Sequence, residues 1–382
     1  MINYGKQSID QSDIKAVTNV LKNNLITQGQ EVGKFERLLS KKFGSKHCVA
    51  LSSGTAALHL LGLALGWKKN DIIITTPISF LATSNCILYS GATPEFVDIN
   101  NKNFNIDPDL LLKKIIDLKK KRKKIAAIIC TDFAGHPCDW KNIKKISKKF
   151  NINLINDNCH AFGSSIDNNK RYAIKYANFV TLSFHAVKHI TTGEGGAILS
   201  NDKKIINSIK ILKTHGVEKK NILRPWFYEM KKLGFNYRIT DFQCALGINQ
   251  LKKLDQFVIR RKEIAKIYNK AFSNIPGVKV PSVSPNFGHA YHIYPLRINF
   301  KKFKIVKENF FKKLKKLGIN LQVHYIPIHL QPYYKKKFKY KYGDYPVAEN
   351  FYNQEVSIPI YYGLKNQQIK FVISTIKKVL DI

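Results

Sequence analysis

Short, continuously apolar segments that alternate with helical patterns constrain the fold of this chain more than any other sequence feature. The segment at 48–53 is followed directly by a helical pattern at 54–65, and that at 71–76 by another at 79–91. Strands without a polar face are typical of a mostly parallel sheet that helices cover on both sides. We therefore predict an α/β fold. The strand candidates are residues 48–53, 71–76, 93–99, 124–133, 152–158, 178–184 and 196–201.

The segments before and after this alternating region predict mainly helices, with two strand-like segments near the C-terminus. Residues 12–22 predict a helix with Ser12 as its N-cap, and 240–272 predict a long helix that bends or breaks. Strand-like segments at 289–298 and 319–327 then enclose an amphipathic helix at 304–318. At 382 residues and 44% hydrophobic, the chain can bury two cores. We predict a large domain with an N-terminal segment at 1–250 and a smaller C-terminal α+β domain at 251–382.

A formal net charge of +38 is compatible with a nucleic acid or an anionic membrane surface as partner. However, lysine is spread along the whole chain together with asparagine and isoleucine, as in proteins from AT-rich genomes. The densest basic runs, 119–124 and 335–341, are typical of solvated helix ends or loops. We favour a solvated surface that attracts an anionic substrate, and expect neither nucleic acid nor membrane as partner.

The remaining composition favours the cytoplasm. The sequence has no apolar stretch of about 18 residues and no signal-type segment at its N-terminus. No cysteine pair has CxxC spacing, so we expect small buried thiols in a reducing compartment, without a disulfide framework or a metal site. The cysteines are Cys48, Cys86, Cys130, Cys138, Cys159 and Cys244.

Two groups of residues lie where predicted strands end, the position at which open α/β sheets bind ligands. Residues 52–55, which include Gly54 and Thr55, separate a strand from a helix N-terminus and favour a phosphate site, although many strand–helix turns look similar. Asp157 directly follows an apolar strand, so its carboxylate must be solvated, paired or functional. His160, three residues later, either supports Asp157 or caps the turn.

Two further groups follow other strands. Ser183 and Lys188 come after the strand at 178–184, and a lysine that a site desolvates becomes an amine nucleophile. The glycines at 193–196 allow a close backbone approach. Phe80 begins a helix, where its ring either stacks on a flat ligand or packs in the core.

Together these groups match the requirements of pyridoxal phosphate (PLP). The lysine would form a Schiff base, the aspartate would keep the pyridine nitrogen protonated, and the aromatic ring would cover the cofactor. We therefore predict PLP as the cofactor.

The chain resembles the sugar-nucleotide aminotransferases of the DegT/DnrJ/EryC1/StrS family over nearly its whole length. This resemblance implies a fold-type I PLP-dependent enzyme with a large parallel-sheet domain and a smaller C-terminal domain. The matching segments are residues 26–29, 52–58, 75–85, 156–164, 183–198, 214–217, 234–247, 323–329 and 357–361.

The resemblance also assigns roles. Lys188 matches the Schiff-base lysine and proton shuttle, Asp157 the partner of the pyridine nitrogen, and His160 its neighbour beneath the ring. Phe80 matches the stacking residue. Gly54, Thr55 and Ser183 match the phosphate contacts, and Asn236 matches a residue that reaches the cofactor phosphate from the other subunit. A homodimer with shared active sites is therefore implied.

Within the family, the segments around Phe80, Lys188 and residues 24–29 look most like the transaminases of pseudaminic acid biosynthesis. Those act at C4 of a UDP-linked 4-keto-6-deoxy N-acetyl sugar, and L-glutamate is the expected amino donor. The substrate-binding residues that this implies are Tyr4, Asn24, Leu25, Ile26, Thr27, Ser53, Ser183, Asn236, Gln322, Val323, His324 and Tyr325. The chain departs from the commonest family pattern at Asn156, Asn158 and Cys159, close to the ring.

Three alternatives remain. The first is an aminotransferase for another nucleotide-linked keto sugar of the bacillosamine or legionaminic, perosamine or 3-keto type. The second is the dehydratase branch of the family, in which a histidine replaces the lysine; here Lys188 is present and His189 lies only beside it. The third is a non-catalytic basic protein that regulates or binds nucleic acid, which has no need of Asp157, Lys188 and Asn236 together.

Overall fold

The computed structural model describes residues 1–219 and 224–382 of the chain, and strands in these ranges form one large sheet and several small ones. The strands are β1 (Ile2–Asn3), β2 (His47–Leu51), β3 (Asp71–Thr75), β4 (Thr93–Phe96), β5 (Lys124–Thr131), β6 (Asn153–Asp157), β7 (Ser165–Ile166), β8 (Phe179–Ser183), β9 (Gly196–Ser200), β10 (Val217–Glu218), β11 (Glu229–Met230), β12 (Val278–Lys279), β13 (Phe287–Gly288), β14 (Tyr294–Ile298), β15 (Ile319–Asn320) and β16 (Glu355–Ile358).

Helices precede, separate and follow these strands, and short 3₁₀ turns occur at Phe133–Gly135 and Ile328–Leu330. The α-helices are α1 (Gln11–Asn23), α2 (Gln30–Phe43), α3 (Gly54–Ala64), α4 (Leu81–Tyr89), α5 (Pro108–Lys120), α6 (Trp140–Phe150), α7 (Tyr172–Tyr176), α8 (Lys203–Leu212), α9 (Asp241–Phe272), α10 (Lys307–Lys316), α11 (Pro332–Phe338), α12 (Pro346–Gln354) and α13 (Asn366–Leu380). Within the described ranges, no helix is both long enough and apolar enough for a bilayer span.

The large sheet has the strand order β2-β9-β8-β6-β5-β3-β4, and β9 runs antiparallel to both of its neighbours. The other neighbouring pairs are parallel. The carboxyl ends of β2, β3, β5, β6 and β8 therefore meet at one edge, where parallel sheets bind their ligands. In the register of this edge, Asp157 lies between Thr131 and Thr181.

Both faces of the large sheet are covered, as the apolar strand pattern predicts. In β2, Cys48 and Ala50 belong to one buried cluster, and Val49 and Leu51 belong to another on the opposite face. The first cluster includes side chains of α2, α5, α6 and α9, whereas the second includes those of α3, α4 and α8. A strand buried on both sides cannot alternate polar with apolar residues, which explains the continuous apolar runs.

A third buried cluster lies around the small antiparallel sheet β12-β14-β16 and helices α10 and α13. Ile2 belongs to it, because β1 pairs with β15. Helix α9 is continuous through residue 251, and its side chains change cluster between Val258 and Ile264. The division at 250/251 stays a prediction, and the long helix has no break.

Three local predictions differ from the structure. Asp10, not Ser12, caps α1, since its carboxylate accepts hydrogen bonds from the backbone N–H groups of residues 12 and 13. The segment at 289–298 is a strand only from Tyr294, because the N–H groups of residues 290 and 292 donate instead to the carbonyls of Gly135 and Ala134. In 319–327, only Ile319–Asn320 forms a strand, and the remainder turns along a cavity.

Candidate active site

A cavity of about 620 Å³ opens at the carboxyl edge of the large sheet. Residues from the ends of β5, β6 and β8 form its base, the N-terminal ends of α3 and α4 form one wall, and residues 322–326 form another. Its volume is typical of a site for a small molecule or a cofactor. Most residues that the sequence singled out lie around it.

Lys188 reaches the cavity from the loop after β8. Its Nζ and Nε2 of His292 form a hydrogen bond of 3.3 Å. Burial lowers the pKa of Lys188 below its ordinary value, although the nearby Cys159 and Asp157 act in the opposite direction. Lys188 therefore loses its proton to give the neutral amine more readily than a solvated lysine does.

Asp157 ends β6 and is buried at the base of the cavity. Its Oδ2 accepts a hydrogen bond of 2.7 Å from the hydroxyl of Thr83, and its Oδ1 accepts one of 3.3 Å from the N–H of Cys159. Donors on both oxygens fix the plane of the carboxylate.

His160 is buried beside Asp157. Its Nε2 and the hydroxyl of Tyr325 form a hydrogen bond of 3.0 Å, and its ring centroid lies 4.5 Å from that of His292. Burial, followed by the charge of Lys188, lowers the pKa of His160 well below its ordinary value. The imidazole is therefore a neutral ring at the base of the cavity.

The turn at 53–55 provides donors at a helix N-terminus. Ser53 caps α3, because its hydroxyl accepts a hydrogen bond from the N–H of Ala56 at 3.0 Å, and it also lines the cavity. The first N–H groups of a helix have no intrahelical acceptor. A Cβ on Gly54 would lie 3.0 Å from the Cβ of Ser183, so glycine keeps this corner open.

The glycine at 196 has a related steric reason. A Cβ there would lie 2.3 Å from the carbonyl oxygen of Ser53 and 2.5 Å from the nitrogen of Gly54. Only glycine lets β9 approach the turn so closely.

Phe80 lies at the mouth of the cavity rather than in the core. Its side chain is 57% exposed, and its ring centroid is 6.0 Å from that of Tyr325. Because an exposed aromatic ring contributes little to the core, this position favours contact with a ligand over core packing.

The predicted substrate residues fall into two groups. Tyr4, Ser53, Ser183 and residues 322–325 line the cavity. Residues 24–27 and Asn236 are exposed and lie outside it. The carbonyl of Ile26 accepts a hydrogen bond from the N–H of Asp241, which fixes this segment at the start of α9. The roles of this second group stay predictions.

The sequence reasoning missed Thr83 and His292. Thr83 lies three residues after Phe80 on α4, and this helical spacing could have suggested that the two face the same cavity. The sequence has no signal for His292. Its segment, 289–298, predicts a strand and not a loop that reaches the cavity.

The residues present fit PLP. The cavity combines a buried carboxylate on β6, a lysine of lowered pKa, a helix N-terminus with an open corner at Gly54, and an exposed aromatic ring. Thr131 also lines the cavity, and its buried hydroxyl has no hydrogen-bond partner among the described residues. Among the residues described, no three His, Cys, Asp or Glu side chains are placed to hold a metal ion.

Comparisons with known proteins agree with this site. The model of the DegT/DnrJ/EryC1/StrS aminotransferase family matches residues 7–377. The UDP-4-amino-4,6-dideoxy-N-acetyl-beta-L-altrosamine transaminase of Campylobacter jejuni is 41% identical over 383 aligned positions, which cover 100% of this chain and 98% of the relative.

Solved structures show the same fold over the whole chain. PseC of Helicobacter pylori, an aminotransferase involved in the biosynthesis of pseudoaminic acid, has a TM-score of 0.90 at 33% identity and covers 100% of this chain and 99% of its own. Spr1654 from Streptococcus pneumoniae in its PLP form has a TM-score of 0.88 at 27% identity, with 99% and 98% covered. The predictions of fold class, aminotransferase activity and PLP as cofactor are confirmed. The chain belongs to the DegT/DnrJ/EryC1/StrS aminotransferase family.

Proposed function

We propose that the chain transfers an amino group to C4 of a UDP-linked 4-keto-6-deoxy N-acetyl hexose, with L-glutamate as the donor and PLP as the cofactor. The observation that carries this proposal is that Lys188 and Asp157 line the same cavity. The chain is also 41% identical to the transaminase of Campylobacter jejuni. The reaction belongs to nucleotide-sugar biosynthesis of the pseudaminic acid type.

Lys188 and Asp157 carry the chemistry in this proposal. Bound PLP supplies an electron sink for the carbon that bears the transferred amine. The buried carboxylate of Asp157, which the hydroxyl of Thr83 holds in place, would keep a proton at the pyridine nitrogen. Lys188, with its lowered pKa, takes and returns the proton at the reacting carbon as general base and acid.

The other predicted residues bind and orient the cofactor. The N-terminus of α3 at Gly54 and Thr55, together with the hydroxyl of Ser183, binds the phosphate group. Phe80, whose ring is exposed at the cavity mouth, would cover one face of the cofactor ring, and His160 at the base of the cavity would support the other. Tyr4 and residues 322–325 line the side of the cavity that is open to the sugar.

The charge of the chain favours anionic substrates. A nucleoside diphosphate sugar and glutamate are both anions, and a net charge of +38 raises their concentration near the surface. Lys188 and histidines are the basic residues among the described side chains that line the cavity. Contacts to the diphosphate must therefore come from beyond this lining.

A C2 homodimer supplies such contacts in this proposal. Asn236 and residues 24–27 lie outside the cavity of their own chain, as expected for groups that act in the partner's site. An exposed apolar surface precedes Asn236 in the chain, and a second copy would cover it. This surface consists of Trp226, Phe227, Tyr228, Met230 and Leu233.

The cytoplasm is the proposed location. All six cysteines are free and five of them are buried, which is compatible with a reducing compartment.

A panel of nucleotide-linked amino sugars tests the proposed reaction. The purified protein should be yellow, and the UDP-4-amino sugar product should shift its absorbance from the pyridoxal to the pyridoxamine form. UDP, GDP and dTDP sugars aminated at C3 or C4 distinguish the predicted substrate from those of the other keto-sugar enzymes. Lys188→Ala should abolish turnover. If no amino sugar on any nucleotide changes the spectrum, the proposed function is wrong.

A further inference from the structure

Asp132 is a completely buried carboxylate that the proposed chemistry does not use. It follows β5, next to the end of β6 in the large sheet. Its carboxylate accepts five hydrogen bonds. The donors are the N–H of Cys138 at 2.7 Å and Nε1 of Trp140 at 2.8 Å on Oδ1, and Nδ2 of Asn156 at 3.1 Å, Nδ2 of Asn158 at 3.0 Å and the hydroxyl of Tyr172 at 2.6 Å on Oδ2.

Three contacts of Asp132 enclose Asp157. Its carboxylate binds the side chains of Asn156 and Asn158, the two chain neighbours of Asp157. Its backbone N–H donates to the carbonyl of Asp157 at 3.2 Å. The position of Asp157 is therefore fixed on both sides by one residue, whereas Thr83 and Cys159 hold only its carboxylate.

The hydrogen bonds also indicate the charge state of Asp132. A backbone N–H and an indole N–H can only donate, and both bind Oδ1. The hydroxyl of Tyr172 donates to Asp132 and accepts from Nδ2 of Asn158 at 2.9 Å. Burial, the larger effect, raises the pKa of Asp132, and its five hydrogen-bond donors act against that rise and so favour the anion.

We propose that Asp132 is the positioning residue for Asp157: its buried carboxylate, through Asn156 and Asn158, holds the Asp157 carboxylate in the place where it meets the pyridine nitrogen of PLP. This inference rests on the proposed role of Asp157 in the cofactor site. It also gives a role to the two asparagines, since each amide donates to Asp132.

Titration of the apoprotein with PLP tests the proposal, with the dissociation constant as the readout. Asp132→Asn removes the charge and turns one acceptor oxygen into a donor, so it should weaken PLP binding about 10-fold or more. It should also move the pH at which the absorbance of bound PLP changes, which a purely structural residue would not do.

Asp98→Asn is the matched control. Asp98 is also buried and accepts backbone hydrogen bonds, from Ile99 at 2.8 Å, Val347 at 2.9 Å and Ala348 at 2.9 Å, but it does not line the cavity. Both variants should lower the unfolding midpoint, whereas only Asp132→Asn should weaken PLP binding. Equal PLP affinities for the two variants would overturn the proposal.

Two milder variants cover the case in which Asp132→Asn does not fold. Asn158→Ala keeps Asp132 but breaks one of its two side-chain links to the neighbours of Asp157, and should weaken PLP binding about 3-fold or more. Trp140→Phe removes a donor on the opposite oxygen and should leave PLP binding within about 2-fold of wild type. The reverse order of effects contradicts the proposal. A wild type that binds PLP but aminates no sugar would refute the proposed reaction and leave this inference intact.

Discussion

The amine of Lys188 lies 3.3 Å from Nε2 of His292, so the lysine of the large-sheet edge contacts a ring 104 residues later in the chain. Burial lowers the pKa of His292 well below its ordinary value, and the charge of Lys188 lowers it further. One nitrogen of a neutral imidazole can accept a hydrogen bond from the amine, and this bond orients the amine. His292 is therefore placed to hold the side chain of Lys188 whenever the lysine amine is not bonded to the cofactor.

His292→Phe keeps a ring but removes this acceptor. We expect kcat to fall by about 3- to 10-fold, the equivalent of one hydrogen bond, while KM for the sugar changes little. Steady-state kinetics measure both constants. His292→Gln, whose side-chain oxygen can accept, should recover part of the loss. Equal losses for Phe and Gln would show that the hydrogen bond is unimportant.

Thr83→Val removes the 2.7 Å hydrogen bond to Oδ2 of Asp157 and leaves a buried charge with one donor fewer. Hydrogen bonds to charged groups contribute about 1.5–3 kcal/mol, so we expect PLP to bind at least about 10-fold more weakly. Absorbance titration of the apoprotein measures this. Thr83→Ser retains the hydroxyl and should bind like the wild type; a serine variant as weak as the valine variant would assign the effect to packing.

The central sheet and the two principal site residues could be predicted from local sequence. Strands that are buried on both faces are continuously apolar, and a polar residue immediately after such a strand lies at the edge where ligands bind. Asp157 ends such a strand, and Lys188 lies five residues after the end of another. The glycine-containing turn at 52–55 could be found in the same way, because the strand before the turn and the helix after it are adjacent in the chain.

His292, Thr83 and Asp132 could not be found in this way. His292 approaches Lys188 only because its segment forms hydrogen bonds with residues 134–135 instead of a strand partner. Its position thus depends on contacts between distant parts of the chain. Asp132 directly follows β5, but its role could not be found from that position, because its five partners come from three elements and two loops.

Phe80→Ala tests whether the exposed ring serves the cofactor or the fold. A stacked aromatic pair contributes about 0.5–1.5 kcal/mol, so the dissociation constant of PLP should rise by about 2- to 10-fold. Because the ring is 57% exposed, the free energy of unfolding of the apoprotein should change by less than about 0.5 kcal/mol. Phe80→Tyr keeps a flat ring and is the control. A large loss of apoprotein stability would instead indicate a structural ring.

The double variant Trp226→Lys/Leu233→Lys tests the homodimer. These side chains are 76% and 79% exposed, and charges there would oppose burial against a second copy. Sedimentation should show a dimer for the wild type and a monomer for the variant, with weaker PLP binding if Asn236 acts across the interface. Leu317→Lys, at an exposed leucine after α10, should remain dimeric. A double variant that is still dimeric would place the interface elsewhere.

The buried carboxylate of Glu355 should make the free energy of unfolding depend on pH. Its buried carboxylate accepts hydrogen bonds from the N–H of His324, a cavity residue, and from the hydroxyl of Ser357. Burial raises the pKa of Glu355 from 4.5 to about 7, against the smaller effects of Ser357 and Lys307. Between these pH values the folded chain holds a proton that the unfolded chain has released, so the free energy of unfolding falls as pH rises.

Glu355→Gln should remove this slope. One unit of pKa corresponds to about 1.4 kcal/mol, so between pH 5 and 7 the wild type should lose about 1–3 kcal/mol more than the variant. Urea unfolding at four pH values in this range measures the difference. Glu263→Gln, which replaces an exposed carboxylate paired with Arg260, should keep the wild-type slope. Parallel curves for the wild type and Glu355→Gln would mean that Glu355 is already ionised at pH 5 in the folded protein.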